Sequence, residues 1–165
     1  VVPVSAVTEH LKKRGVPFEE ISHERVYSSI AEARAMGIAA DEVVKTLVLK
    51  TGGGHAIAVV PGSRRLDMKA FQRAAGDKRA RLATEEELQA AFPGYELGAF
   101  PPLADLLGVT AFVDPEVLEH ETVVFAAGTQ AESVKAKSKD LFSGKGVQVV
   151  HITREMQEPP DQFLR

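Results

Sequence analysis

The chain has no cysteine, no tryptophan and only two tyrosines among its 165 residues. Without cysteine there is no disulfide framework, no thiol nucleophile and no thiolate metal site. With so few stacking aromatics it is poorly equipped to coat a single strand by base stacking, although eight phenylalanines are present. Its net charge of −3 argues against a protein that covers nucleic acid, and no DNA partner is expected. No apolar run approaches the roughly 18–20 residues of a membrane span. The opening Val1-Val-Pro-Val lacks a basic stretch followed by an apolar one, so no secretion signal is expected. A cytoplasmic protein with no membrane partner fits these absences. The five histidines (His10, His23, His55, His120, His151) show no metal-ligand spacing, and no metal or cofactor is expected. There is no GxSxG elbow, no P-loop, no dinucleotide fingerprint and no obvious Ser/His/Asp set.

What is present is an ordinary globular balance, 44% hydrophobic and 26% charged. The length suits one domain, residues 1–165. The central stretch is Asp41 to Lys50. It reads as a strand, with Lys45, Leu47 and Leu49 on one face and Val44, Thr46 and Val48 on the other. Gly52-Gly-Gly54 turns it back into His55–Val60, an antiparallel hairpin. Helices are expected over Val4–Arg14, over Ile30–Met36 behind a capping box at Ser29/Glu32, after Asp67, and after Thr84 with its box partner Glu87. Strands are expected at Phe18–Ser22, Val109–Val113, Thr122–Ala126 and Val147–Ile152, with a helical turn capped by Asp114-Pro115 and a short helix at Ser138–Phe142. Pro61–Leu66 reads as a loop. The tail from Arg154, with Pro159-Pro160, carries no clear pattern. Interspersed helices and short strands with at least one hairpin predict an α+β fold on a mixed sheet.

Three local features carry chemistry. Lys45 stands at the head of a strand that is apolar on both faces, so it either snorkels to water or meets an anion. Gly98-Ala-Phe-Pro-Pro102 is a stiff loop of apolar character, either a structural turn or a fixed backbone edge beside a pocket. Ala126-Ala-Gly128-Thr-Gln130 ends a strand in glycine, where backbone amides can face a ligand oxygen. A cation and two backbone-lined loops can hold a phosphate or carboxyl group and stabilise an oxyanion. Basic residues collect in two patches: Arg64 to Arg81, and Lys135, Lys137, Lys139 and Lys145. Such patches suit a partner that is anionic in one place, such as one end of an RNA.

Ser29–Gly37 followed by Val44–Lys50 resembles the YbaK family, the aminoacyl-tRNA deacylases that also occur as the editing insertion of bacterial prolyl-tRNA synthetase. The order continues to match. Gly98–Pro102 resembles that family's GxxxP loop, and Asp114 with Val123–Gly128 resembles its late strand and glycine loop. The resemblance spans roughly Ile21 to Ile152. It implies one α+β domain with a curved, mixed, largely antiparallel sheet flanked by helices. The implied activity is hydrolysis of the ester joining a wrong amino acid, such as cysteine or alanine, to tRNA, often tRNA for proline. Lys45 matches the family's essential lysine, with Gly98 and Gly128 supplying backbone groups at the ester. Phe100, Pro101, Pro102, Thr129 and Gln130 would line the aminoacyl site, and Arg64, Arg65 and Lys69 would contact RNA. No cofactor is implied. The partners would be the aminoacylated tRNA end and, by association, prolyl-tRNA synthetase. Gln130 and Lys135 stand where the synthetase insertion carries Asn and His, so the amino acid removed need not be that insertion's alanine. A non-catalytic module binding aminoacyl-tRNA or a synthetase through the same pocket is the alternative, and a hydrolase of small free esters is a third reading.

Overall fold

The structure is a computed structural model and describes residues 4–155. The described chain runs α1 (Val4–Lys13), β1 (Phe18–Ser22), α2 (Ser29–Met36), a 3₁₀ turn at Ala40–Glu42, β2 (Val43–Thr51), β3 (Gly54–Pro61), β4 (Arg64–Leu66), α3 (Met68–Ala75), β5 (Arg81–Leu82) and α4 (Glu85–Ala91). It continues through α5 (Ala104–Leu107), β6 (Thr110–Val113), a 3₁₀ turn at Pro115–Glu119, β7 (Thr122–Ala126), β8 (Glu132–Lys137), α6 (Ser138–Leu141), β9 (Val147–Val149) and β10 (Thr153–Glu155).

The sheet is mixed. Its strand order is β1-β8-β7-β2-β3-β6-β9, with β5 added beside β2. The pairs β1/β8, β7/β8, β2/β3 and β2/β5 are antiparallel, whereas β2/β7, β3/β6 and β6/β9 are parallel. This is the α+β architecture on a mixed sheet that the interspersed elements predict, and the sheet is mostly antiparallel, as the resemblance implies. The hairpin register sets Lys45 against Val60 and Val48 against Ile57. β2 therefore carries two cores. Val44 and Val48 face the larger one, with Leu11, Ile57, Phe100, Leu103 and Phe125. Leu49 faces the smaller, with Val60, Phe71, Phe112 and Ile152. Strand alternation puts Lys45 on the side of the smaller core.

Local chemistry explains most element ends. Asp67 caps α3 by accepting from the Ala70 N–H at 3.1 Å. Thr84 and Glu87 form the reciprocal box that opens α4. α2 differs from its expected start. Ser28 is the cap, accepting from the Ala31 N–H at 3.0 Å, and the helix begins at Ser29. Glu32 does not reach back to the cap. It is buried and accepts instead from the Ser133 hydroxyl. The stretch Val147–Ile152 is also not one strand. β9 ends at Val149, and β10 pairs antiparallel with β4 inside what reads as a loop. Within the expected tail, Arg154 and Glu155 belong to β10, while Pro159-Pro160 lies outside the described residues.

Candidate functional site

The two glycine loops meet. The Glu96 N–H donates to the Gly128 carbonyl at 2.9 Å, and the Gly128 N–H donates to the Ala99 carbonyl at 2.9 Å. A tight turn closes from the Ala99 N–H to the Glu96 carbonyl, 3.0 Å. Gly98 occupies its third position at φ +82°, which glycine adopts without strain. A side chain there would also collide, because a Cβ on Gly98 would lie 2.8 Å from Gln130 Nε2. Gln130 is buried and ties the loops together. Its Nε2 donates to the Leu97 carbonyl at 2.6 Å, its N–H donates to Glu96 Oε1 at 3.0 Å, and its carbonyl accepts from the Val26 N–H at 3.0 Å. Arg25 closes the outside of this knot, donating to the same Glu96 oxygen.

This arrangement redistributes the expected backbone roles. Both backbone groups of Gly128 are used between the loops. Among the described residues, the N–H groups of Gly98 and Thr129 carry no internal hydrogen bond. Phe100 is 4% exposed and sits in the larger core, stacked on Tyr95 with ring centroids 5.5 Å apart. Pro101 and Pro102 are buried with it. These three side chains support the turn from beneath.

Lys45 is half-buried and lies level with the end of β7, since the neighbouring Val44 pairs with Phe125 and the glycine loop begins three residues further on. Among the described residues no carboxylate pairs with it. Burial, and after it the charge of Arg65, lowers its pKa from the ordinary 10.5. Two neighbouring cations without a counter-ion make this end of β2 a place for an anion. Arg64, one residue before Arg65, points elsewhere, with Nε 3.0 Å from Glu116 and Nη1 3.7 Å from Glu155. Lys69 is exposed on the outer side of α3.

Two supports of this site carry no signal in the sequence. Gly62, in the turn between β3 and β4, brings Ser29 at the head of α2 against the start of β2. A Cβ there would lie 2.7 Å from the Ser29 Cβ and 2.8 Å from the Ala40 carbonyl. In the sequence Gly62 is simply part of the Pro61–Leu66 loop. Glu96 is the other, one acid in an irregular loop. The structure also joins His23 Nε2 to Ser133 Oγ at 2.8 Å, a spacing that suggests a nucleophile and its base. Ser133 is only 1% exposed and its hydroxyl engages Glu32, so the group tethers α2 to β8. Burial pushes the Glu32 carboxyl up. Among the described residues no group of three or more His, Asp or Glu could hold a metal ion, and no helix is long and apolar enough to cross a membrane.

A family model for the aminoacyl-tRNA editing domain matches residues 23–143, the span that holds Lys45, both glycine loops and the tethered α2. A protein of Enterococcus faecalis with the provisional name Cys-tRNA(Pro)/Cys-tRNA(Cys) deacylase EbsC is 24% identical over 147 residues, 87% of this chain and 89% of its own length. Among solved structures, the hypothetical protein APE2540 superposes with a TM-score of 0.82 at 25% identity, covering 90% of this chain and 99% of that one. A protein provisionally described as a trans-editing enzyme for prolyl tRNA synthetase superposes with a TM-score of 0.79 at 27% identity, covering 93% of this chain and 99% of that one. The matched span and the fold it builds have one common reading: the chain belongs to the aminoacyl-tRNA editing domain family.

Proposed function

We propose that the protein is a free-standing trans-editing deacylase that hydrolyses the ester of a mischarged tRNA, with tRNA for proline carrying cysteine as the foremost substrate and alanine as the next. The observation that carries this reading is Lys45, half-buried, without a carboxylate partner, and within electrostatic reach of a second cation, Arg65. A cation held at such a cost needs an anion to offset it, and the phosphate at the tRNA 3′ end supplies one. The provisional names of the two relatives support the choice of cysteine and of tRNA for proline.

In this reading Lys45 holds the terminal phosphate and Arg65 extends the positive field toward the RNA. The Gly98 and Thr129 N–H groups face the aminoacyl carbonyl. Water adds to that carbonyl carbon, the ribose oxygen leaves with the proton, and free amino acid and uncharged tRNA result. The terminal ribose hydroxyl, or the thiol of a misattached cysteine, assists the attack. The protein contributes positioning, a cation and backbone donors rather than a side-chain nucleophile. Prolyl-tRNA synthetase is the natural source of the substrate, and the cytoplasm its location.

The test is deacylation of tRNA for proline charged with cysteine, alanine or serine, by wild type and Lys45→Ala. Removing one group that stabilises the transition state costs about a hundredfold in rate. A wild type that cleaves Cys-tRNA and a variant slowed by that factor support the reading. A variant within tenfold of wild type removes Lys45 from the chemistry. A wild type that binds but cleaves none of the three makes the protein a binding module.

A further inference from the structure

The cations of this protein are distributed unevenly with respect to its acids. On α3, Lys69 and Arg73 are four residues apart and share the exposed side, opposite the buried Ala70 and Phe71. With Gln72, Gly76, Asp77 and Lys78 they line an open groove of about 560 Å³. The two acids of this stretch are turned to internal work. Asp67 caps α3, and Asp77 accepts from the Gly52 N–H at 2.8 Å and the Arg79 N–H at 2.9 Å. Among the described residues Arg65, Lys69, Arg73 and Lys78 form no ion pair.

The lysines of β8 and the start of α6 have different company. Lys135 stands opposite Glu19 in the β1/β8 register and shares a groove with Glu19 and Glu42. Lys137 and Lys139 share another with Glu119 and Glu121. A polyanion laid along these lysines meets carboxylates beside them, whereas one laid along α3 meets unpaired cations and a single acid, Asp77, whose oxygens already accept two backbone N–H groups.

We propose that the outer face of α3, from Arg65 through Lys69 and Arg73 to Lys78, receives the phosphate backbone of the double-helical acceptor stem. This rests on the deacylase reading and adds the direction in which the RNA leaves the site. β4 connects the two regions. Arg65 is the electrostatic neighbour of Lys45, and the chain passes from β4 through Asp67 directly into α3. An RNA whose 3′ end lies at Lys45 then has its duplex beside α3. A-form RNA is recognised largely through shape, phosphates and 2′-hydroxyls, which suits a row of long cations without stacking aromatics.

The experiment measures binding of uncharged tRNA for proline by fluorescence anisotropy over a salt series. It compares wild type, K69A/R73A/K78A, the charge-preserving K69R/R73K/K78R, and K135A/K137A/K139A. Uncharged tRNA requires no hydrolysis, so the surface is tested even if the mischarged panel shows no deacylation. The expected result is at least tenfold weaker binding by the α3 alanine variant, with the slope of log affinity against log salt reduced by about 0.9 for each phosphate no longer neutralised. The charge-preserving variant retains binding, and the β8 variant stays within twofold of wild type. An α3 alanine variant with wild-type affinity and slope overturns the proposal. So does failure of binding in the β8 variant alone, or a wild type that does not bind tRNA.

Discussion

At Lys45 the proposed function and the stability of the fold oppose each other. Burial and Arg65 disfavour its charged form, so its folded pKa lies below the ordinary 10.5 of the unfolded chain. Below the folded value both states are protonated, and the fold bears the whole cost of the buried charge. Between the two values the unfolded chain binds more protons, so stability rises with pH across that window. Lys45→Met keeps an unbranched side chain beside Leu47 and Leu49 and removes the charge. The variant should melt higher than wild type at neutral pH, with the gap closing as pH approaches 10.5, and should fall about a hundredfold in deacylation. Paired thermal melts from pH 7 to 10.5 check this. A variant that melts lower across that whole range would show that the ammonium is already satisfied in the empty protein.

The loops that frame the site form one unit because Glu96 holds them. Its N–H donates to Gly128, and its Oε1 accepts from both Gln130 and Arg25. These two side-chain interactions differ in value. The Arg25 pair is solvent-exposed, 54% on the arginine side, so water and salt screen it and it contributes little. The Gln130 N–H is part-buried, and leaving it without an acceptor costs about 1–3 kcal/mol. Glu96→Gln keeps an oxygen for that N–H, whereas Glu96→Ala removes it. The expected order of single-turnover deacylation rates is wild type, then Glu96→Gln within about threefold, then Glu96→Ala down about tenfold or more. Equal decline in both variants would assign the effect to the charge and to Arg25. This unit also marks where sequence reading stops. The glycines of both loops, the hairpin around Lys45 and the caps at Asp67 and Thr84 are local signals, and each is legible from a few adjacent residues. Glu96 is not, because its partners Gln130 and Arg25 lie 34 and 71 residues away. The same distance effect sets the start of α2. Ser29 and Glu32 have the spacing of a capping box, but Glu32 finds Ser133, 101 residues away, and a buried tertiary bond displaces a local one. β8 is illegible for a related reason. Glu132–Lys137 has only Val134 and Ala136 on its apolar side, and it becomes a strand because β1 and β7 flank it.

Across the whole molecule, the sheet separates two cores, and the smaller one is closed by the last described stretch of chain. Ile152 is fully buried in that core, and β10, which follows it, pairs with the β4 that carries Arg65. Asp114 fixes this closure. It is fully buried, its Oδ2 accepts from the Ile152 N–H and the Thr153 hydroxyl at 2.9 Å each, and its Oδ1 accepts from the Glu116 N–H at 3.0 Å. One carboxylate therefore satisfies three donors from two parts of the chain. Asp114→Asn can still present one oxygen, but its NH₂ faces donors wherever the other oxygen stood. Orphaning a buried donor costs about 1–3 kcal/mol, so a destabilisation of about 3 kcal/mol, or about 6–12 °C in Tm, is expected. The effect should be local before it is global. Amide hydrogens of Thr153–Glu155 and Arg64–Leu66 should exchange faster in the variant, while those of the β2/β3 hairpin keep their order of protection. Because β4 carries Arg65, loosening it should also weaken tRNA binding although no cation is substituted. A variant destabilised uniformly, with no selective exchange in β4 and β10, would show that Asp114 supports the sheet as a whole and that β10 does not hold β4 in place.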